Sequence, residues 1–218
     1  VMGIYRQETL VQDWRIRTER KTTEDEFNVI VTSLFANDGI DAGSIRGRRS
    51  VQAGVALGNA AFYDRVALDE SFFFRPVKET HDVRRIARIR AFCAINSAVE
   101  VDLFGQVNAD SIRGRLVAGV GGLPAFVAGS ALSRGGRSII ALPATTDGAR
   151  HSRIVARLAA PGLTALPRHA ADHVVTEHGT ASLRGLSVHA RARALIDIAA
   201  PAFRDELARQ WDEMARGL

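Results

Sequence analysis

The 218-residue sequence is short of the features that mark exported, membrane-spanning or disulfide-stapled chains. It has one cysteine, Cys93, so no internal disulfide can form and nothing in the fold depends on an oxidising compartment. No apolar run reaches the roughly eighteen residues a membrane helix needs. The opening Val-Met-Gly-Ile-Tyr-Arg-Gln-Glu also lacks a basic segment followed by an apolar one. The expectation is a cytoplasmic protein, neither exported by that route nor membrane-bound. Internal repeats and low-complexity tracts are missing too. The net charge of +5 calls for an anionic partner, yet no zinc-finger spacing and no basic stripe interleaved with aromatics occurs. The arginines are instead scattered in short groups: Arg84, Arg85, Arg88 and Arg90; Arg113 and Arg115; Arg191 and Arg193. This argues against nucleic acid and leaves solvated helix faces or an anionic cofactor to account for the charge.

What is present is the balance of an ordinary folded protein, 46% hydrophobic and 24% charged. The length suits one α/β domain, alone or with a short appendage. Residues 1–46 are polar and charged, with little periodicity through Arg15-Ile-Arg-Thr-Glu-Arg-Lys-Thr-Thr-Glu-Asp-Glu26, and read as that appendage. Residues 47–218 alternate strand-like and helix-like segments punctuated by glycine, the pattern of an α/β domain. Short β-branched runs predict strands at 92–97, 115–120, 138–142 and 173–176. Helices are predicted at 83–90, 188–199 and 202–216. In the last, Phe203, Leu207 and Trp211 recur at i, i+4 and i+8 and make one packing face. Pro201 stands near its first turn, where a missing N–H costs nothing.

Several groups of residues could carry chemistry. Gly119-Val-Gly-Gly122 follows a predicted strand, so its backbone can approach a ligand and offer N–H groups to an anion; the same residues also make an ordinary tight turn. Glu177 ends the apolar strand Val174-Val-Thr-Glu177, and strand ends are where α/β sheets form ligand crevices, although a solvated acid can sit there equally well. Glu100 and Asp102 alternate with apolar neighbours and share one strand face, suiting either acid/base work or hydrogen bonds to nearby backbone. His169 and His173 stand at i, i+4 with Asp172 between them and His178 close by, which raises a metal site. The segment turns into a strand, however, and a strand would aim these rings apart. Cys93 lies between apolar neighbours in a strand, the setting of an inert thiol and not of a nucleophile. No metal is called for.

Taken in order, these segments resemble the C-terminal half of the acetyl-CoA hydrolase/transferase family, class I CoA-transferases that include 4-hydroxybutyrate CoA-transferase. The resemblance rests on Phe74-Arg-Pro-Val, Ile95-Asn-Ser-Ala-Val-Glu-Val-Asp-Leu-Phe-Gly-Gln-Val-Asn108, Gly119-Val-Gly-Gly122 and Gly135-Gly-Arg-Ser-Ile-Ile-Ala-Leu-Pro-Ala144. It continues through Ser152-Arg-Ile-Val155, Val175-Thr-Glu-His-Gly179, Leu183-Arg-Gly185 and Pro201-Ala-Phe-Arg-Asp-Glu-Leu207. It implies an α/β class with a three-layer α/β/α arrangement and a mixed sheet, packed in whole enzymes against a related N-terminal domain. The implied activity is that of an acyl-CoA:carboxylate CoA-transferase or acyl-CoA hydrolase, working through an enzyme glutamyl-CoA intermediate. The implied partners are acyl-CoA and a carboxylate, with coenzyme A as substrate and no tightly bound cofactor. A homo-oligomer, or a hetero-oligomer with an N-terminal-domain-like chain, is expected.

Carried over by resemblance, Gly122, with Gly121 and Gly119 beside it, supplies a backbone donor to the developing oxyanion, and Glu177 lines the same site. A site asparagine of some members falls on His81. The nucleophilic glutamate belongs upstream, in a block whose nearest counterpart is Val31-Thr-Ser-Leu-Phe-Ala-Asn-Asp-Gly39, where Ser33 takes its place. A hydroxyl cannot form the glutamyl anhydride. With a gap, Glu24 or Glu26 fills the position, and Glu8 is a poorer choice. Ala125 stands where the family carries aspartate before Phe126. These departures leave open a non-catalytic CoA-binding or assembly subunit.

Overall fold

The computed structural model describes residues 29–35, 51–57, 60–68, 72–112, 114–146, 148–159 and 163–217. The chain divides into two compact units, Val1–Arg85 and Ile86–Leu218. In the first, strands β1 (Val29–Phe35), β2 (Val51–Leu57) and β3 (Phe72–Phe74) form a parallel sheet in that order, with helix α1 (Ala60–Leu68) between the second and third. Helix α2 (Val77–Thr80) follows Pro76, whose fixed φ starts a short turn. Helix α3 (Val83–Arg88) carries the dividing point and ends two residues earlier than its sequence pattern predicts. The boundary expected at 46/47 lies outside the described residues.

The second unit is built on a mixed four-stranded sheet. Its order is β14 (Gly179–Ser182), β13 (His173–Thr176), β9 (Arg137–Ala141) and β4 (Cys93–Ser97). Strands β4, β9 and β13 run parallel, and β14 returns antiparallel to β13 through a tight turn at Glu177 and His178. The α/β class and the mixed sheet follow the sequence expectation. Ile140 of β9 and Val174 of β13 are register partners and both fully buried, which accounts for the apolar, β-branched text of these strands.

Between β4 and β9 the chain makes β5 (Glu100–Asp102) and β6 (Val107–Asn108), joined with β12 (Ile154–Val155) in a small second sheet. Next come the hairpin β7 (Ser111–Ile112) and β8 (Arg115–Leu116), and then helix α4 (Leu123–Leu132). A strand predicted over 115–120 is cut short because the amides of Val117 and Ala118 both bond to the Asp110 carbonyl. A second hairpin, β10 (Thr145–Thr146) and β11 (His151–Ser152), follows β9.

Helices α5 (Val188–Asp197) and α6 (Pro201–Ala215) close the unit, and Ser187 caps the first by accepting from the Ala190 amide. Leu195, Ile198, Leu207 and Trp211 join Val101, Leu103, Val107, Ile140 and Leu183 in one buried cluster, where Phe104 meets Trp211 edge-on at 5.4 Å. The buried Arg191 guanidinium donates to the carbonyl oxygens of Phe104 and Arg168, tying α5 to the loops beneath it.

Candidate active site

The glycine run and Glu177 reach the same end of the sheet through the topology. Strands β4, β9 and β13 run in one direction and finish at Ser97, Ala141 and Thr176. The C-terminal end of α4 is tied to the opposite edge. There Ser133 Oγ donates to the Ile89 carbonyl and accepts from the Phe92 amide, and the Ala91 amide bonds to Arg134. A ten-residue helix is about 15 Å long. Because α4 packs along β4 and β9, its first turn returns to the edge where the strands stop. The Gly119–Gly122 loop opens that turn, and Glu177 follows directly on β13. This is the carboxyl edge at which α/β sheets bind ligands.

The loop has its own geometry. Gly121 has φ of +57°, a left-handed conformation that favours glycine, and the buried Gly122 takes the N-cap position of α4 with no side chain to cap it. Among the described residues, none accepts from the amides of Gly119, Val120, Gly121 or Gly122. Gly119 is exposed, has no positive φ, and a methyl group added to it would meet nothing within 4 Å. Neither backbone conformation nor packing within the chain therefore requires glycine at 119.

Glu177 is fixed by backbone. One carboxylate oxygen accepts from the Ala144 amide at 2.8 Å, the other lies 3.9 Å from His178 Nε2, and the side chain is 46% exposed. The turn beneath it is pinned by Thr176, whose hydroxyl donates to the Ile198 carbonyl and accepts from the His178 amide. Glu177 is thus a half-exposed carboxylate with one oxygen held by the Ala144 amide and the other facing the His178 ring.

The other acids and histidines read from the sequence are placed differently. Asp102 is fully buried and accepts from the Phe104 and Gln106 amides and the Gln106 side chain; burial pushes its pKa up against the pull of these bonds. Glu100 accepts from Asn108 Nδ2, while Asn108 Oδ1 accepts from the Asp110 and Ser111 amides. The paired acids thus serve the turns around β5 and β6. His169 is exposed in a turn, and His173 lies beside Asp172 at 3.3 Å, with Asp172 also bonded to Arg184. Among the described residues no three His, Cys, Asp or Glu side chains are grouped to hold a metal. Cys93 is half-buried, and burial raises its thiol to about 11. His81 follows α2 in the first unit, 2.8 Å from the Thr80 hydroxyl. Ser33 lies in β1 opposite Val55, whereas Glu8, Glu24 and Glu26 lie outside the described residues.

Sequence reasoning missed α4, the helix that turns the glycine run into a helix N-terminus. It is apolar on every side and carries Pro124 and Gly129, so no period marks it; the proline at its first turn was the available signal.

Open backbone N–H groups such as those of this loop can stabilise negative charge that develops beside them. Residues 58–211 match the acetyl-CoA hydrolase/transferase C-terminal domain, and the chain belongs to that family. It is 42% identical over 155 residues to a butyryl-CoA:acetate CoA-transferase of Anaerostipes caccae, covering 70% of this chain and 35% of that one. Among solved structures, it superposes on RipA from Yersinia pestis with a TM-score of 0.75 and 32% identity, over 84% of this chain and 43% of that one. Its TM-score to a 4-hydroxybutyrate CoA-transferase from Porphyromonas gingivalis is 0.69 at 28% identity, over 88% and 46%. A separate short likeness, 55% identity over 40 residues, is to a type III pantothenate kinase of Desulfosudis oleivorans and covers 18% of this chain and 16% of that one. The chain spans about a third of the curated CoA-transferase's length.

Proposed function

We propose that this chain is part of an acyl-CoA:carboxylate CoA-transferase or acyl-CoA hydrolase site, holding the thioester, completed by an N-terminal domain or partner chain and working through a glutamyl-CoA intermediate, with Glu24 and Glu26 as its own candidates for the nucleophile. The observation that carries the reading is the glycine loop. Gly119 and Gly121 leave open space beside amides that have no acceptor among the described residues, at the sheet edge that Glu177 shares.

In this reading the thioester carbonyl lies against the loop. The attacking glutamate forms an acyl-glutamyl anhydride and releases the CoA thiolate; the thiolate then attacks the glutamyl carbonyl, releasing the carboxylate and leaving a glutamyl-CoA thioester. A carboxylate acceptor or water resolves it. Loop amides stabilise the charge that grows on each carbonyl oxygen, where fixed donors contribute most. Glu177, with one oxygen held by Ala144, orients the reacting groups or takes up a proton from water in the hydrolytic branch. The basic net charge of +5 suits the phosphates of CoA.

Ser33 stands at the position of the family glutamate in one alignment, and a hydroxyl cannot form the anhydride, which supports a second reading, a non-catalytic CoA-binding or assembly subunit. Both require CoA binding, and titration calorimetry with acetyl-CoA tests it. Gly119→Ala is expected to weaken binding about tenfold, a loss of about 1.4 kcal/mol, with the melting temperature unchanged. Unchanged affinity in that variant removes the loop from the site.

A further inference from the structure

Asn96 of β4 is a polar residue in apolar company. Its register partner on β9 is the fully buried Ile140, and Ala94, two residues back on the same face, is buried as well. Ile95, between them, points to the other face and is 41% exposed. The Asn96 Nδ2 atom is buried, and no group among the described residues accepts from it. Folded proteins pair nearly all their buried polar atoms, and an unpaired donor costs stability that a leucine of similar shape would not. No step described above uses this donor.

The topology sets Asn96 beside the glycine loop. Its face of the sheet is the one α4 covers: Phe92, four residues earlier, stacks on Phe126 with ring centres 6.1 Å apart, and Leu123 and Val127 belong to the same buried cluster as Ile140. From Phe92, four strand residues advance about 13 Å toward the carboxyl edge. From Phe126, four helical residues back to Gly122 cover only about 6 Å in the same direction. Asn96 therefore stands past the first turn of α4, level with Gly119–Gly122. We infer that the Asn96 side-chain amide donates a hydrogen bond to the thioester carbonyl oxygen, joining the loop amides as a further substrate-contacting group. The inference rests on the function proposed above. A neutral donor suits an oxygen that is uncharged in the bound substrate and gains charge only as the carbonyl is attacked. Because it projects from a strand of the main sheet, this donor is held in place by the scaffold and not by the loop.

The test compares the full 218-residue chain with its Asn96→Leu and Asn96→Asp variants, both close to asparagine in size, by titration calorimetry. The ligands are acetyl-CoA and, separately, CoA, whose free thiol carries no acyl carbonyl. The expected result is an acetyl-CoA affinity about tenfold weaker in each variant, with CoA affinity within about twofold of wild type. The melting temperature of Asn96→Leu is expected to equal or exceed that of wild type, because the unpaired donor is gone. Retained acetyl-CoA affinity in both variants overturns the inference. So does an equal loss of CoA affinity, since the residue would then serve the CoA moiety or the fold. If Asn96→Leu melts below wild type, Asn96→Asp, which keeps the shape and removes the donor, decides on the same two affinities. A wild-type chain that binds neither ligand defeats the proposed function itself, whereas binding that the variants leave untouched defeats only the role of Asn96.

Discussion

The alternation of Glu100 and Asp102 is visible in the sequence, but their burial is not. Asp102 sits at the mouth of a turn where the Phe104, Gln106 and Leu158 amides and the Gln106 side chain converge, and an acid that could have served catalysis is used to hold backbone. Its pKa is raised from 3.8, burial outweighing the hydrogen bonds. A group whose folded pKa is raised contributes stability below its unfolded pKa and loses it as pH rises through the folded value. Asp102→Asn keeps one oxygen for the Phe104 and Gln106 amides and removes the charge. The difference in melting temperature, variant minus wild type, should therefore increase as pH is raised from about 4 through the raised folded value. Thermal melts of both proteins across that range check it, and a constant difference contradicts the burial argument. The place of Glu177 at the end of β13 was legible because a carboxylate closing an apolar strand stands out. The Ala144 amide that orients it was not, since it comes from a residue 33 positions away.

Among the elements, the amphipathic helices and the β-branched strands of the main sheet were recovered from the sequence, whereas α4 was lost. The amphipathic α6 begins at Pro201 with its Phe203, Leu207 and Trp211 face, and strands β4, β9 and β13 fall within a residue or so of their β-branched runs. Helix α4 has no polar face to reveal it, because Leu123, Phe126, Val127 and Gly129 are all buried. The glycine that hid this helix also packs it. A methyl group at Gly129 would lie 2.6 Å from Ile86 Cβ, so α4 lies directly on the residue that opens the second unit. Gly129→Ala should thus destabilise by about 1–3 kcal/mol, despite alanine's better helix propensity, because overpacking outweighs propensity. Chemical denaturation measures this, and a neutral or stabilising result would show that the helix can shift away from Ile86. The strand expected over 115–120 ends early for a reason that patterning could not supply, the two amides captured by Asp110.

For the whole molecule, the family and α/β class were readable from blocks of sequence, because the core strands and the turns between them impose their own residue types. What the sequence left open is where the nucleophile comes from. Ser33 lies in a strand of the first unit, Glu24 and Glu26 lie outside the described residues, and the family match begins only at residue 58. The proposed transfer requires a glutamate that takes up the acyl group and then CoA. Mass spectrometry of the 218-residue chain after incubation with acetyl-CoA and borohydride or hydroxylamine, alone and with an N-terminal domain of the family, reads that glutamate out. The predicted result is a glutamyl adduct at Glu24, Glu26 or another acid. No adduct under either condition, with acetyl-CoA still bound, would contradict transfer and leave a CoA-binding subunit.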